Sequence, residues 1–142
     1  MAGVHFTFDN FKQLLDLTIG LAQRVDENRA ESFTLLYCDF SKFEKSLINS
    51  SIEQILRNSD AIVNNESDYF FILPYTDKYG TSIVKNMFCE FYGTDLKTYA
   101  VSYPVDGETS ELMIEELMYG VEKKYKNSLR CLSGFNPLLN FK

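Results

Sequence analysis

Arg57-Asn58-Ser59-Asp60 sets a guanidinium and a carboxylate three positions apart, in a polar break between two apolar segments. A guanidinium offers paired donors to phosphate or to the N7/O6 edge of guanine, and a carboxylate accepts from guanine N–H groups. The pair therefore could hold a ligand. It equally suits a structural arrangement, in which Arg57 binds a helix-end carbonyl and Asp60 caps a hairpin. After five intervening residues comes Glu66-Ser67-Asp68-Tyr69-Phe70, a polar turn running into an aromatic strand. Other chemistries find few residues to carry them. His5 is the sole histidine and stands in a terminal segment expected to be mobile. There is no Gly-x-Ser-x-Gly elbow, Walker loop or zinc-ligand spacing.

The 142 residues fit one domain, and 45% hydrophobic content with 12 Phe and 9 Tyr is enough to bury a sizeable core. A net charge of -6 argues against a general nucleic-acid binder. Lys123, Lys124 and Lys126 form the one dense basic cluster, where a helix end would favour cations. No apolar run approaches the roughly 18 residues of a membrane helix, and no signal peptide is evident. Cys38, Cys89 and Cys131 are an odd set, read as reduced thiols of a cytoplasmic protein. Cys38 and Cys89, among apolar neighbours, are expected in the core.

The elements that must position these residues follow from periodicity. Asp9 is expected to cap a first helix with Phe11, Leu14, Leu15, Thr18, Leu21, Ala22 and Val25 inward. A charged loop, Asp26 to Glu31, leads to Phe33–Cys38, an apolar run that suits a strand buried on both faces. Ser41 to Glu44 reads as a capping box opening a second helix, with Phe43, Leu47, Ile48, Ile52, Ile55 and Leu56 inward. Ala61–Val63 and Tyr69–Leu73 flank the Asn64–Asp68 turn as a hairpin, ended by Pro74. A third helix, Asp77 to Tyr92, would bury Ile83, Met87, Phe88 and Phe91 and stop at Gly93. Thr98–Tyr103 is a strand closed by Pro104, and a last helix from Thr109 would bury Leu112, Leu117 and Val121. Helix, strand, helix, hairpin, helix, strand, helix implies an α/β sheet of the ferredoxin-like or nucleotide-cyclase kind.

Four pieces in order give a family resemblance over about residues 33–124. Leu35-Leu36-Tyr37-Cys38-Asp39-Phe40-Ser41-Lys42-Phe43 is similar to a first strand ending in Asp-x-Asp-x-Phe, with Ser41 at the second Asp. Arg57-x-x-Asp60 is followed at the right distance by Glu66-Ser67-Asp68-Tyr69-Phe70. Phe71-Ile72-Leu73-Pro74 follows, and Ala100 to Thr109 contains Tyr103-Pro104-Val105-Asp106-Gly107. The chain resembles the GGDEF domains that make cyclic di-GMP in bacteria. The resemblance implies an α/β (α+β) fold, a ferredoxin-like sheet of about five strands packed by helices. It implies one domain over residues 1–130, with 131–142 as a tail that either packs back on the sheet or docks elsewhere; packing back is expected.

The departures from the family bear on activity. Glu66 and Ser67 replace two glycines, whose freedom lets a backbone approach phosphate closely. Phe43 and Arg57 are only 14 positions apart with no glycine between them, so the guanine-binding segment is expected to be deleted. In the family, two Mg²⁺ ions clamp the triphosphate. Here Asp39 and Asp68 are the weak metal candidates, with strand-cap and turn roles expected instead. The expectation is a catalytically inactive, degenerate GGDEF-like domain without cofactor, regulatory or protein-interacting, in bacterial signalling. Its partners would be another protein, further domains or a second copy, with no nucleic acid and no membrane. Two alternatives stand beside it: a cyclic di-GMP receptor using Arg57 and Asp60, and a divergent metal-dependent nucleotide cyclase.

Overall fold

A computed structural model describes residues 2–25 and 31–135. Its strands are β1 (Val4–His5), β2 (Glu31–Asp39), β3 (Ala61–Asn65), β4 (Asp68–Pro74) and β5 (Thr98–Pro104). Its helices are α1 (Phe11–Arg24), α2 (Lys45–Ile55), α3 (Lys78–Tyr92) and α4 (Ser110–Tyr125). Short 3-10 segments cover Phe8–Asn10 and Arg130–Phe135. The five strands form one sheet in the order β1-β3-β4-β2-β5. Among the described residues only the β1–β3 pairing is parallel; β2 runs antiparallel to both β4 and β5, and β3 to β4. From β2 to β5 the chain follows the split βαβ order of ferredoxin-like folds.

Side chains alternate across the central strand because a strand repeats every two residues. Phe33, Leu35 and Tyr37 join the core under α1, α4 and the Arg130–Phe135 segment. Leu36 and Cys38 join the other core, under α2 and α3. This is why the β2 sequence reads as a continuous apolar run. Leu132 is buried in the first core, and Phe135 lies edge-on to Phe8 with ring centroids 5.1 Å apart. The rest of the expected tail, 136–142, lies outside the described residues, as do residues 26–30 of the expected charged loop.

Several local expectations are corrected. Ser41 does not open α2: its amide is taken by Asp39 Oδ1 at 2.9 Å, and the helix starts after Glu44, whose side chain makes no cap. Asp9 lies in the 3-10 turn and does not cap α1, which follows Asn10 without a side-chain cap. Thr109 and Asp77 do cap their helices, accepting from Leu112 N and Gly80 N. Gly93 ends α3 at φ 70, where a side chain would be strained. His5 is tied into the sheet through β1, registered against Ile62. Leu21, Leu47, Ile83, Met87 and Leu112 are exposed. In α3 the buried stripe is Thr81 and Phe88 with Val84 and Tyr92 packed beside them, one position round from the expected face.

Candidate functional site

The Arg57–Asp60 segment joins the end of α2 to β3 and closes on itself. Asp60 N donates to Arg57 O at 3.0 Å, and Arg57 N donates to Asp60 Oδ2 at 2.8 Å. The guanidinium then reaches back: Nη2 donates to Asp60 Oδ1 at 2.8 Å and Nε to Oδ2 at 3.4 Å. Nη2 also donates to the Pro74 carbonyl at 3.0 Å and to Thr76 Oγ1 at 3.1 Å, pinning the turn to the end of β4. The Asp60 side chain is 2% exposed and that of Arg57 52% exposed. Burying a carboxylate is costly unless it is paired and hydrogen-bonded, and these partners meet that requirement.

Arg57 faces an open polar cleft of about 870 Å³, lined also by Glu31, Thr76, Asp77 and Gly80. Both acidic side chains there are engaged: Glu31 accepts from Lys78 N at 2.6 Å, and Asp77 from Gly80 N at 2.8 Å. Lys78 Nζ lies 3.8 Å from Glu31 Oε2 and also pairs with Asp106. Among the described lining residues, one guanidinium therefore stands with two carboxylates.

The second candidate lies at the β3–β4 tip. The strands pair through Asn65 and Asp68, so the polar turn shrinks to Glu66 and Ser67. Glu66 has φ 54, a left-handed conformation in which glycine is at ease and glutamate is not. The backbone at Glu66, where the resemblance implies glycine in the family, is thus one that suits glycine. Asn64 Nδ2 donates to Glu66 O at 2.8 Å, and Phe40 N to Ser67 O at 3.0 Å, so the tip is bound on both sides. Tyr69 and Phe70 are buried on opposite faces: Tyr69 packs against Phe40, Phe70 against Phe11 and Tyr37.

Asp39 and Asp68 are brought together as direct cross-strand partners. Asp39 Oδ1 accepts from the Ser41 amide at 2.9 Å, and Asp68 Oδ1 accepts from the Tyr37 hydroxyl at 2.7 Å. Burial raises the Asp68 carboxyl above its ordinary range; the Tyr37 hydrogen bond opposes this, while the Asp39 and Glu66 charges add to it. Burial, then the bond to Asp68, pushes the Tyr37 hydroxyl far up. Burial lifts the Cys131 thiol to about 11, with Asp68 and Glu66 contributing. Among the described residues no three His, Cys, Asp or Glu side chains converge to hold a metal ion.

Sequence reasoning missed Tyr37, Thr76 and Glu31 as members of these two sites. Tyr37 was legible in principle: it lies two residues before Asp39 in a strand, hence on the same face. Thr76 and Glu31 reach the Arg57 cleft through sheet topology, which no local pattern encodes. On the outer face of α3, Tyr79, Ile83 and Met87 are exposed at four-residue spacing and form an apolar stripe. No helix among the described residues is long and apolar enough to cross a membrane.

No protein-family model matches the chain, and no curated protein sequence matches it. Solved structures do. The GGDEF domain of PA1120 (YfiN or TpbB) from Pseudomonas aeruginosa is similar with a TM-score of 0.66 at 14% identity. That match covers 84% of this chain and 90% of the other. A sensory box/GGDEF family protein from Caulobacter crescentus CB15 is similar with a TM-score of 0.59 at 10% identity, covering 84% of this chain and 94% of that one. The mixed five-stranded sheet packed by helices is the fold of a GGDEF domain.

Proposed function

We propose that this chain is a non-catalytic GGDEF-like domain that works in bacterial signalling through contacts with another protein. The observation that carries this reading is that the candidate catalytic and ligand groups are already engaged within the chain. Asp68 is held by Tyr37, Asp39 by the Ser41 amide, and Asp60 by Arg57. Two metal ions need several free oxygen ligands. Two carboxylates, one with a raised pKa and bound to a tyrosine, do not fit that requirement. Glu66, exposed at the tip, adds a negative charge where a triphosphate would have to approach. The Tyr79–Ile83–Met87 stripe supports a protein partner, since apolar side chains at helical spacing suit a packed interface.

Incubation with GTP and Mg²⁺ or Mn²⁺ is the direct test. No cyclic di-GMP is expected; turnover abolished by Asp39→Asn would instead establish a divergent cyclase. The interaction reading is tested by pull-down with the chain and its Ile83→Asp/Met87→Asp variant. The variant should lose the partner and keep its far-UV circular dichroism.

A cyclic di-GMP receptor is the second reading, favoured by the half-exposed Arg57 at the mouth of a polar cleft. Against it stand the buried Asp60 carboxylate and the two acidic groups in that cleft, which disfavour a dianionic ligand. Calorimetry decides: saturable heat with cyclic di-GMP that disappears in Arg57→Ala would make this reading the better one.

A further inference from the structure

Beside the Arg57–Asp60 turn, a groove of about 300 Å³ opens between α1 and the β1 edge of the sheet. Its walls include Leu14, Leu17 and Leu21 of α1 and Val4, Phe6 and Ile72 across from them. Leu17 and Leu21 are 60% and 56% exposed, so the apolar surface is open to water. Asn58 and Ser59 close one end, and their side chains make no hydrogen bond within the described residues. Asp60 is the one charged residue among the described lining, and its carboxylate is already bound to Arg57.

We propose that this groove binds a small, uncharged amphipathic ligand with an apolar body and one hydrogen-bonding end. Ligand pockets are typically apolar clefts with a few placed polar groups, and this volume lies at the lower bound of their range. A dry apolar cavity of about 150 Å³ accommodates benzene, so roughly twice that volume suits two fused rings or a medium-length chain. The polar end would meet Asn58 and Ser59. Among the described lining residues there is no cation to receive an anionic end, and the one carboxylate, that of Asp60, is bound to Arg57, so an uncharged ligand suits the groove.

The probe is 2-naphthol, compared with naphthalene and 2-naphthoate, by thermal shift and by titration of the probe's fluorescence. A ligand binding only the native state raises the melting temperature by mass action. Saturable 2-naphthol binding is expected, with 2-naphthoate at least tenfold weaker. Leu21→Glu, at an exposed position, should weaken 2-naphthol at least tenfold without altering the far-UV spectrum, and Ala22→Phe should do the same by filling the groove. Asn58→Ala/Ser59→Ala should weaken 2-naphthol severalfold and leave naphthalene unchanged. Absence of saturable binding overturns the proposal, as does binding indifferent to Leu21→Glu. Binding that appears only after removal of residues 136–142 overturns it too, because the chain's own segment would then fill the groove. So does a dimer that Leu21→Glu dissociates, which would make a second copy the occupant.

Discussion

The Tyr37 hydroxyl donates to Asp68 Oδ1 at 2.7 Å, across the antiparallel pairing of β2 with β4 and two residues from Asp39, the direct partner of Asp68. One tyrosine thereby holds a carboxylate that faces another carboxylate at the tip of the sheet. Tyr37→Phe should remove a hydrogen bond to a charged group, at about 1.5–3 kcal/mol. It should also raise the Asp68 pKa further, because that bond is the influence pulling it down. Urea denaturation and carboxylate NMR titration measure the two effects.

The pH dependence has a definite sign. The Asp68 carboxyl is raised in the folded chain, so the native state holds this proton more tightly than the unfolded one. Its contribution to stability is full below the ordinary carboxylate pKa and is lost as pH rises through the raised value. Asp68→Asn should flatten that part of the stability–pH profile. It should also raise the melting temperature at neutral pH, since like charges directly opposite in a sheet are destabilising by roughly 0.2–1 kcal/mol. Thermal melts between pH 3 and 8 show both.

Arg57→Ala should destabilise the fold whether or not it affects any ligand. It leaves the Asp60 carboxylate buried with the Arg57 amide as its remaining hydrogen-bond donor. It also unpins the turn from the Pro74 carbonyl and Thr76. Loss of a charged hydrogen-bonded partner costs about 1.5–3 kcal/mol. Asp60→Ala should cost at least as much, because it also deprives the Arg57 amide of its acceptor. Chemical denaturation of both variants provides the comparison.

Placing glycine at the hairpin tip should act oppositely at its two positions. Glu66 sits at φ 54, so Glu66→Gly relieves a left-handed strain of roughly 1–2 kcal/mol and should raise the melting temperature. Ser67 is not among the residues with positive φ, and Ser67→Gly should cost roughly 0.5–1 kcal/mol through backbone entropy. The double variant should still make no cyclic di-GMP from GTP and Mg²⁺. Appearance of product would show that the turn alone had stopped the chemistry.

Gly120 on α4 faces the Tyr99 ring so closely that an added Cβ would lie 2.0 Å from Tyr99 Cζ. Gly120→Ala should cost about 1–3 kcal/mol by overpacking. Combined with Tyr99→Ala, most of that cost should vanish, and a double-mutant cycle measures the coupling.

Local chemistry made the elements legible from sequence. The apolar β2 run announced a strand buried on both faces, Thr109 and Asp77 announced helix starts, and Gly93 announced a stop, because period and capping depend on near neighbours. Arg57 and Asp60 were legible as a pair, and Asp39 and Asp68 as carboxylates near a strand end and a turn. Tertiary structure decided what those groups do. The burial of Asp60, the reach of Arg57 to Pro74 and Thr76, and the lock of Tyr37 on Asp68 arise where distant segments meet. The exposed faces of α1 and α3 were misjudged for the same reason. A helical period identifies an apolar stripe, but which flank of it meets the sheet depends on how the helix is rotated against its neighbours, and packing sets that rotation.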